Sequence, residues 1–535
     1  MKKFIFHIFL FTSFLFLPSC IQKKDVKSEN KIPKQELQIL LTDPVQTLDP
    51  LKILYSSDWK VASNIFEALV TLNNKNEIIP ELAESYSINE NKLLYTFKLK
   101  KNVYFHDSPC FKNGQGRKLN AEDIKYTFER LAKKNNAFPN WQNISGKIVG
   151  IEKFHQGNSE TISGISVIDS FTVSFLLTKP FSPFLKILTT PNFYIVPKEA
   201  VEYFGNDFGF NPIGTGPFRI SEFRKYKKIQ LVKNENYYLK DSNNVKLPYI
   251  NSICYQTINK SENKLNAFVT NKTDIVEINN VDYNKIKSSK SFIKNYNVIR
   301  LNISNHIRFW GFNFGKENNL NKKIRTAIVK SFDRKKIIDN VKQNKPAETL
   351  VPKHFLRKPN ESKSYKTENF LTDVKFSNRI KNDTVIVLSN FISKDLIEIE
   401  KAINKIGMYC KRIIKPDGYY KNIKKIKPDL FRVSMIPSYP DAIEYYSLFY
   451  SKSSGEINFG RFFNKEYDKI YEKILFENKP ELLNKYYLQL EKILKEEAAT
   501  IYLTYQGPTF LLYPKNLKGI KINYILIDFR KAYFN

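Results

Sequence analysis

Chemistry in a protein chain needs groups that move protons, attack substrates or hold metals, and few here are usefully spaced. The 535 residues include five histidines and four cysteines. His7 lies in an apolar N-terminal run, and His106, His155, His306 and His354 stand apart from one another, so each reads as a structural or surface histidine. His106 precedes Asp107, which mimics a proton-relay dyad, but the pair sits where a strand pattern gives way to a loop. No GxSxG, HExxH or glycine-rich dinucleotide loop occurs. Gly214, Thr215 and Gly216 precede no GxxxxGK, which excludes a phosphate loop. They read instead as a tight turn free of Cβ clashes, with Pro217 fixing its exit. Beyond Cys20, the three cysteines Cys110, Cys254 and Cys410 allow at most one bridge and form no CxxC. The sequence therefore predicts no enzyme, no metal site and no cofactor.

The formal charge of +33 raises two functional readings, nucleic-acid binding and attraction to anionic lipid. The lysines are scattered from end to end rather than gathered into an arm, so the excess reads as compositional and no nucleic-acid partner is expected. At the N-terminus, Lys2 and Lys3 precede an almost wholly apolar run from Phe4 to Leu17, suited to a signal-peptide core and too short to span a bilayer. Leu17-Pro18-Ser19-Cys20 resembles the lipobox of bacterial lipoproteins, apart from the unusual Pro in its second place. In those proteins the peptide is cut before the Cys, whose thiol then carries lipid. A plain secretory signal with a chance Cys is the alternative. Residues 21–36 are polar and aperiodic, as a flexible tether would be. The expectation is an exported chain, lipid-anchored through Cys20, facing the periplasm or the cell exterior.

The elements behind these residues alternate between strand and helix patterns, which predicts an α/β architecture. A hydrophobic content of 42% and this length imply a large core and more than one domain. From Leu93, Tyr95, Phe97 and Leu99 alternate with Thr96, Lys98 and Lys100, a half-buried strand. Asn120 and Asp123 then cap a helix presenting Ile124, Thr127, Phe128 and Leu131 on one face. A second helix is expected from about Asn321, burying Ile324, Ala327 and Ile328. The strongest helical period runs from Lys465 to Asn478, through Tyr467, Ile470, Tyr471, Ile474 and Leu475. Past Pro480, Leu483, Tyr487, Leu490 and Leu494 mark another. Lys353–Asn382 is polar and turn-rich, a surface excursion.

Ten strings in order carry a resemblance that no one of them would carry alone. They include TLDP at Thr47–Pro50, NIFEALV at Asn64–Val70, PELAESYSI from Pro80, LNAEDIKYTFERL from Leu119, PIGTGPFRI at Pro212–Ile220 and FNFG from Phe312. Near the C-terminus come SYPDAIEYYSLFYS and NKEYDKIYEKI. From about residue 37 to the end the chain resembles the family 5 extracellular solute-binding proteins, the oligopeptide-, dipeptide- and nickel-binding components of ABC importers. It departs from the family's usual pattern at Ser108, where Gly is common, and the insert from Ser108 to Leu119 is similar to a subgroup with a longer loop.

The resemblance implies a two-lobed periplasmic-binding-protein fold, type II with an extra inserted domain, hinged around a ligand cleft. It implies a signal peptide at 1–19, lipidated Cys and tether at 20–36, and lobe I pieces at 37–65, 186–290 and 501–535. The inserted domain would be 66–185 and lobe II 291–500. It implies partners in a small-molecule or short peptide ligand, ABC permease and ATPase subunits and, through the anchor, the membrane; the chain would act as a monomer.

Peptide-binding members read W-x-A-D-Y-x-D/E in the cleft segment, where the Trp packs on the ligand and the first Asp meets its α-ammonium. Here Met435-Ile-Pro-Ser438-Tyr439-Pro-Asp441 places Met435 at the Trp and Ser438 at the Asp. A Ser cannot neutralise an ammonium, so the resemblance implies a ligand that is neutral, N-blocked or held mainly by its carboxylate. Asp441 reads as a turn residue beside Pro440, with substitution for the missing carboxylate as the alternative. Arg432 reads equally as a surface residue or as a fork for a ligand carboxylate. In FWGFNFG, alternation puts Trp310, Phe312 and Phe314 on one strand face; they read as core, with Trp310 the best cleft candidate among them. Ligand capture for import leads. Sensing for a membrane receptor would use the same fold, and a polyanion binder would show steep salt dependence.

Overall fold

A computed structural model describes residues 35–535 except 42, 137, 139, 258–263, 302–304, 316–319, 339–344, 353–354, 356–383, 454–456, 478 and 525. Cys20, His354, the tether as far as residue 34 and nearly all of the polar excursion lie outside the described residues.

The alternation from Leu93 forms the strand Leu94–Leu99, which buries Tyr95, Phe97 and Leu99. It lies between Ala83–Ile88 and Thr172–Leu176 in a four-stranded antiparallel sheet completed by Ile165–Asp169. The helix Ala121–Ala132 packs on that sheet. Its N-terminus carries the reciprocal cap of Asn120 and Asp123, and Phe128 meets Phe175 at 4.7 Å between ring centroids.

A second four-stranded sheet runs Glu36–Leu41, Ser252–Thr257, Lys228–Lys233, Phe218–Arg224 in spatial order. Its approach explains the string PIGTGPF. Gly216 donates to the Ile65 carbonyl (2.8 Å) and Phe218 to that of Asn64 (3.0 Å). A Cβ on Gly214 would lie 2.1 Å from the Ile65 oxygen, so only glycine lets the two backbones meet. His106 is buried there, its ring Nε2 2.9 Å from the Gly216 carbonyl, and burial pushes it down to about 4. The histidine next to Asp107 is thus a neutral strut between strings far apart in sequence.

A six-stranded mixed sheet lies elsewhere, in the order Lys345–Pro346, Thr500–Tyr505, Ile307–Phe312, Leu430–Met435, Thr384–Ser389, Tyr409–Ile414. Helices Lys322–Ser331 and Lys394–Lys405 cover one face with Ile324, Ile328, Leu396 and Ile399. The hairpin of Lys465–Phe476 and Pro480–Glu496 belongs to the main core that holds Phe309. Pro480 stands at the first helical turn, where its missing N–H leaves no bond unmade. A three-stranded sheet, Val276–Asn279, Thr509–Pro514, Tyr296–Leu301, joins distant parts of the chain. Among the described residues, no helix is long and apolar enough to cross a membrane.

Candidate ligand-binding cleft

An open cavity of about 400 Å³ brings remote segments together. Leu54, Tyr55, Trp59 and Asn192 line it together with Tyr420, Arg432, Met435, Ser438 and Glu444. Arg432, Met435 and, just beyond, Ser438 come from the end of Leu430–Met435 and the turn after it. In that strand Arg432 pairs with Trp310 and Ser434 with Arg308 of the neighbouring strand, so these four side chains share one face. Val433 and Met435 take the other face.

Trp310 belongs to the core, as its strand face read, and not to the cleft for which it was the best aromatic candidate. It is fully buried among the sheet-covering helices, and its indole donates to Asp395 Oδ2 at 3.1 Å. Alternation fixed its face, and the helix Lys394–Lys405 then covered that face. The same Asp395 oxygen accepts Arg432 Nε at 2.9 Å. Arg432 is nevertheless part of the cavity wall, and its Nη atoms form no hydrogen bond among the described residues. Phe391 lies beneath its guanidinium, 4.9 Å from the ring centroid.

His306 joins this cationic end. Gln506 Oε1 accepts from its Nδ1, so Nε2 is the acceptor for the Ser434 hydroxyl, at 2.6 Å. Arg308 Nη2 donates to the same Gln506 oxygen at 3.2 Å. Burial, then the charges of Arg308 and Arg432, push His306 down to about 3. Burial, then Arg432, pushes Arg308 to about 10. Neutral imidazole beside two guanidiniums leaves this end net positive.

At the opposite sign stands Glu444, in the short helix Ile443–Ser447. Its Oε2 accepts the backbone N–H of Ser438 at 2.7 Å and of Tyr439 at 3.2 Å; its Oε1 accepts the Ser438 hydroxyl. Burial raises this carboxyl to about 7. Ser438 lines the cavity, whereas the Tyr439 ring turns into the core and contributes its amide. Asp441 faces away from the cavity. Lys186 holds its Oδ2 at 2.7 Å, Tyr487 approaches Oδ1 at 3.4 Å, and the same oxygen accepts from the Ile443 amide.

Sequence reasoning thus reached Arg432, Met435 and Ser438 but missed Glu444, His306, Tyr420 and Trp59. Glu444 lay inside the quoted string SYPDAIEYYSLFYS, and an acid six residues after Ser438 was the available signal. His306 appeared isolated because its partners lie 128 and 200 residues away.

Comparison with known proteins places this geometry. Residues 77–456, well over half of the chain, match the bacterial extracellular solute-binding proteins, family 5 Middle. The periplasmic murein peptide-binding protein MppA of Escherichia coli K12 is 25% identical over 519 residues, covering 92% of this chain and 91% of that protein. The dipeptide-binding protein of the same strain is 29% identical over 286 residues, or 52% of this chain and only half (50%) of that protein's length. Among solved structures, the Helicobacter pylori periplasmic binding protein DppA, in complex with the peptide STSA, superposes with a TM-score of 0.77 at 20% identity. That match spans 94% of this chain and 98% of DppA, and it shows the two-lobed type II periplasmic-binding-protein fold. On the family match, the chain belongs to the bacterial extracellular solute-binding proteins of family 5.

Proposed function

We propose that this chain captures a peptide-like solute in the cavity between its lobes and delivers it, chemically unchanged, to the permease of an ABC importer. The observation that carries this reading is the cavity itself, with Arg432, largely buried and with Nη atoms that form no hydrogen bond among the described residues, at one place on its wall and the Glu444 carboxyl at another. The relatives' descriptions, a murein peptide-binding protein and a DppA in complex with a peptide, support the same solute class. In this reading Arg432 meets a ligand carboxylate through its Nη atoms, a task suited to a permanently charged planar fork. Met435 supplies apolar contact, and Ser438 acts through the carboxylate it holds.

The strand pairings suggest where the lobes exchange chain. Tyr296–Leu301 pairs with Thr509–Pro514, while Thr500–Tyr505 pairs with Ile307–Phe312. The proposed crossings therefore follow Leu301 and Tyr505, near the expected boundaries at about 290 and 500. The inserted domain remains proposed at about 66–185, which contains the sheet built on Leu94–Leu99. A lipid on Cys20 would hold the protein at the membrane outside the cytoplasm, where the permease is met. Mass spectrometry of material released from purified, denatured protein tests the function. Stoichiometric peptides are expected; a non-peptide solute, or nucleic acid, would sink the peptide assignment.

A further inference from the structure

Glu444 is a cavity-wall carboxylate to which no lysine, arginine or histidine among the described residues donates, and it stands beside Ser438, where the expected carboxylate is missing. Its three donors are the Ser438 and Tyr439 amides and the Ser438 hydroxyl. An ionised carboxylate offers about four acceptor positions. Oε2 uses both of its own and Oε1 one, which leaves Oε1 a position for one more donor. Among the described residues, the groups named as acting on Glu444 supply no positive charge. They are Asp441, already held by Lys186, and the phenols of Tyr439, Tyr445, Tyr471 and Tyr524, all kept protonated by burial. A partly buried carboxylate left in this state is costly unless something positive arrives.

We infer that Glu444 is the charged contact in this cleft for a protonated amine of the ligand, and that Ser438 positions its carboxylate. This inference rests on reading the cavity as the solute site. It displaces the expectation that Ser438 leaves the ligand neutral, N-blocked or held mainly by its carboxylate, because the carboxylate absent at 438 is supplied from 444. It also brings a pH dependence. Burial holds the Glu444 carboxyl at about 7, and the amine can bind only when that group is ionised. A peptide α-amine titrates near 8, so capture should be strongest between about pH 7 and 8 and roughly fivefold weaker at pH 6. His306, held near 3, and the buried phenols do not titrate in that window.

The test offers the full chain two pools of synthetic tri- to pentapeptides, one with free amines and one fully N-acetylated, and reads retained peptides by mass spectrometry and affinities by calorimetry. Wild type should retain the free-amine pool and bind its members at least about thirtyfold more tightly than their acetylated forms. Glu444→Gln should lose that preference and the loss of affinity at pH 6. A Ser438→Asp, Glu444→Gln double variant should regain the preference, which separates a lost charge from a lost fold. Equal retention of both pools by wild type, or an unchanged preference in folded Glu444→Gln, overturns the inference while leaving peptide capture in place. Retention of neither pool overturns the peptide reading itself, and the inference with it.

Discussion

Replacing Asp395 by Ala should destabilise the lobe built on the six-stranded sheet. The Asp395 carboxylate takes the indole N–H of Trp310 and the Nε of Arg432 on one oxygen, 85 and 37 residues away in sequence. Both members of the ion pair are about nine-tenths buried, with 9% and 10% of their side chains exposed. Removing one partner of such a pair leaves an uncompensated buried cation, at a cost of roughly 3–5 kcal/mol. Arg308, already depressed by Arg432, would then face a second guanidinium with no carboxylate between them. The lost indole acceptor acts in the same direction but is not additive with the first term. Glu202→Ala provides the internal contrast. It breaks the Lys198–Glu202 pair, 60% and 65% exposed, which should cost no more than about 0.5 kcal/mol. Asp395→Asn, which keeps an acceptor but loses the charge, should fall between them. Urea denaturation followed by tryptophan fluorescence and far-UV circular dichroism reads all three. An Asp395→Ala loss under about 1 kcal/mol, indistinguishable from Glu202→Ala, would refute the assignment of this carboxylate as the buried counter-charge.

Other changes probe separate parts of the molecule. Gly214→Ala sets a Cβ 2.1 Å from the Ile65 carbonyl oxygen, a backbone atom that cannot swing aside, and should cost about 2 kcal/mol or more in thermal or urea unfolding. Burial holds the Asp58 carboxyl at about 8, so the folded chain keeps a proton there that the unfolded chain has shed by pH 5. Folding is therefore weakened as pH rises from 5 to 8. Asp58→Asn should be more stable relative to wild type at pH 8 than at pH 5; a pH-independent difference in denaturation midpoint would contradict the burial argument. Cys20→Ser should abolish metabolic lipid labelling and shift the chain out of the membrane fraction, and identical fractionation of mutant and wild type would remove the anchor from the proposal.

Local pattern settled a good deal from sequence alone. The period-2 run gave Leu94–Leu99 its buried face, and the 3.6-residue period gave Lys465–Phe476 its five buried side chains, because burial on one side leaves its mark on every second or every third and fourth residue. The reciprocal cap at Asn120 and Asp123 was legible because both partners lie within one helical turn. The ordered strings were enough to indicate a solute-binding protein, and the loss of charge at Ser438 was visible directly. What a buried face meets was not visible. Trp310 read as core with the cleft as an alternative, and only the helix Lys394–Lys405, which closes over it, decides between the two. Asp441 read as a turn residue, and what set aside its alternative as the missing carboxylate was Lys186, 255 residues earlier, which holds it. Glu444 gained its place only when a turn and a short helix folded its side chain back onto the Ser438 amide and hydroxyl. Periodicity records whether a residue is covered; which group covers it, and with what charge, is decided by contacts between segments that only the tertiary fold brings together.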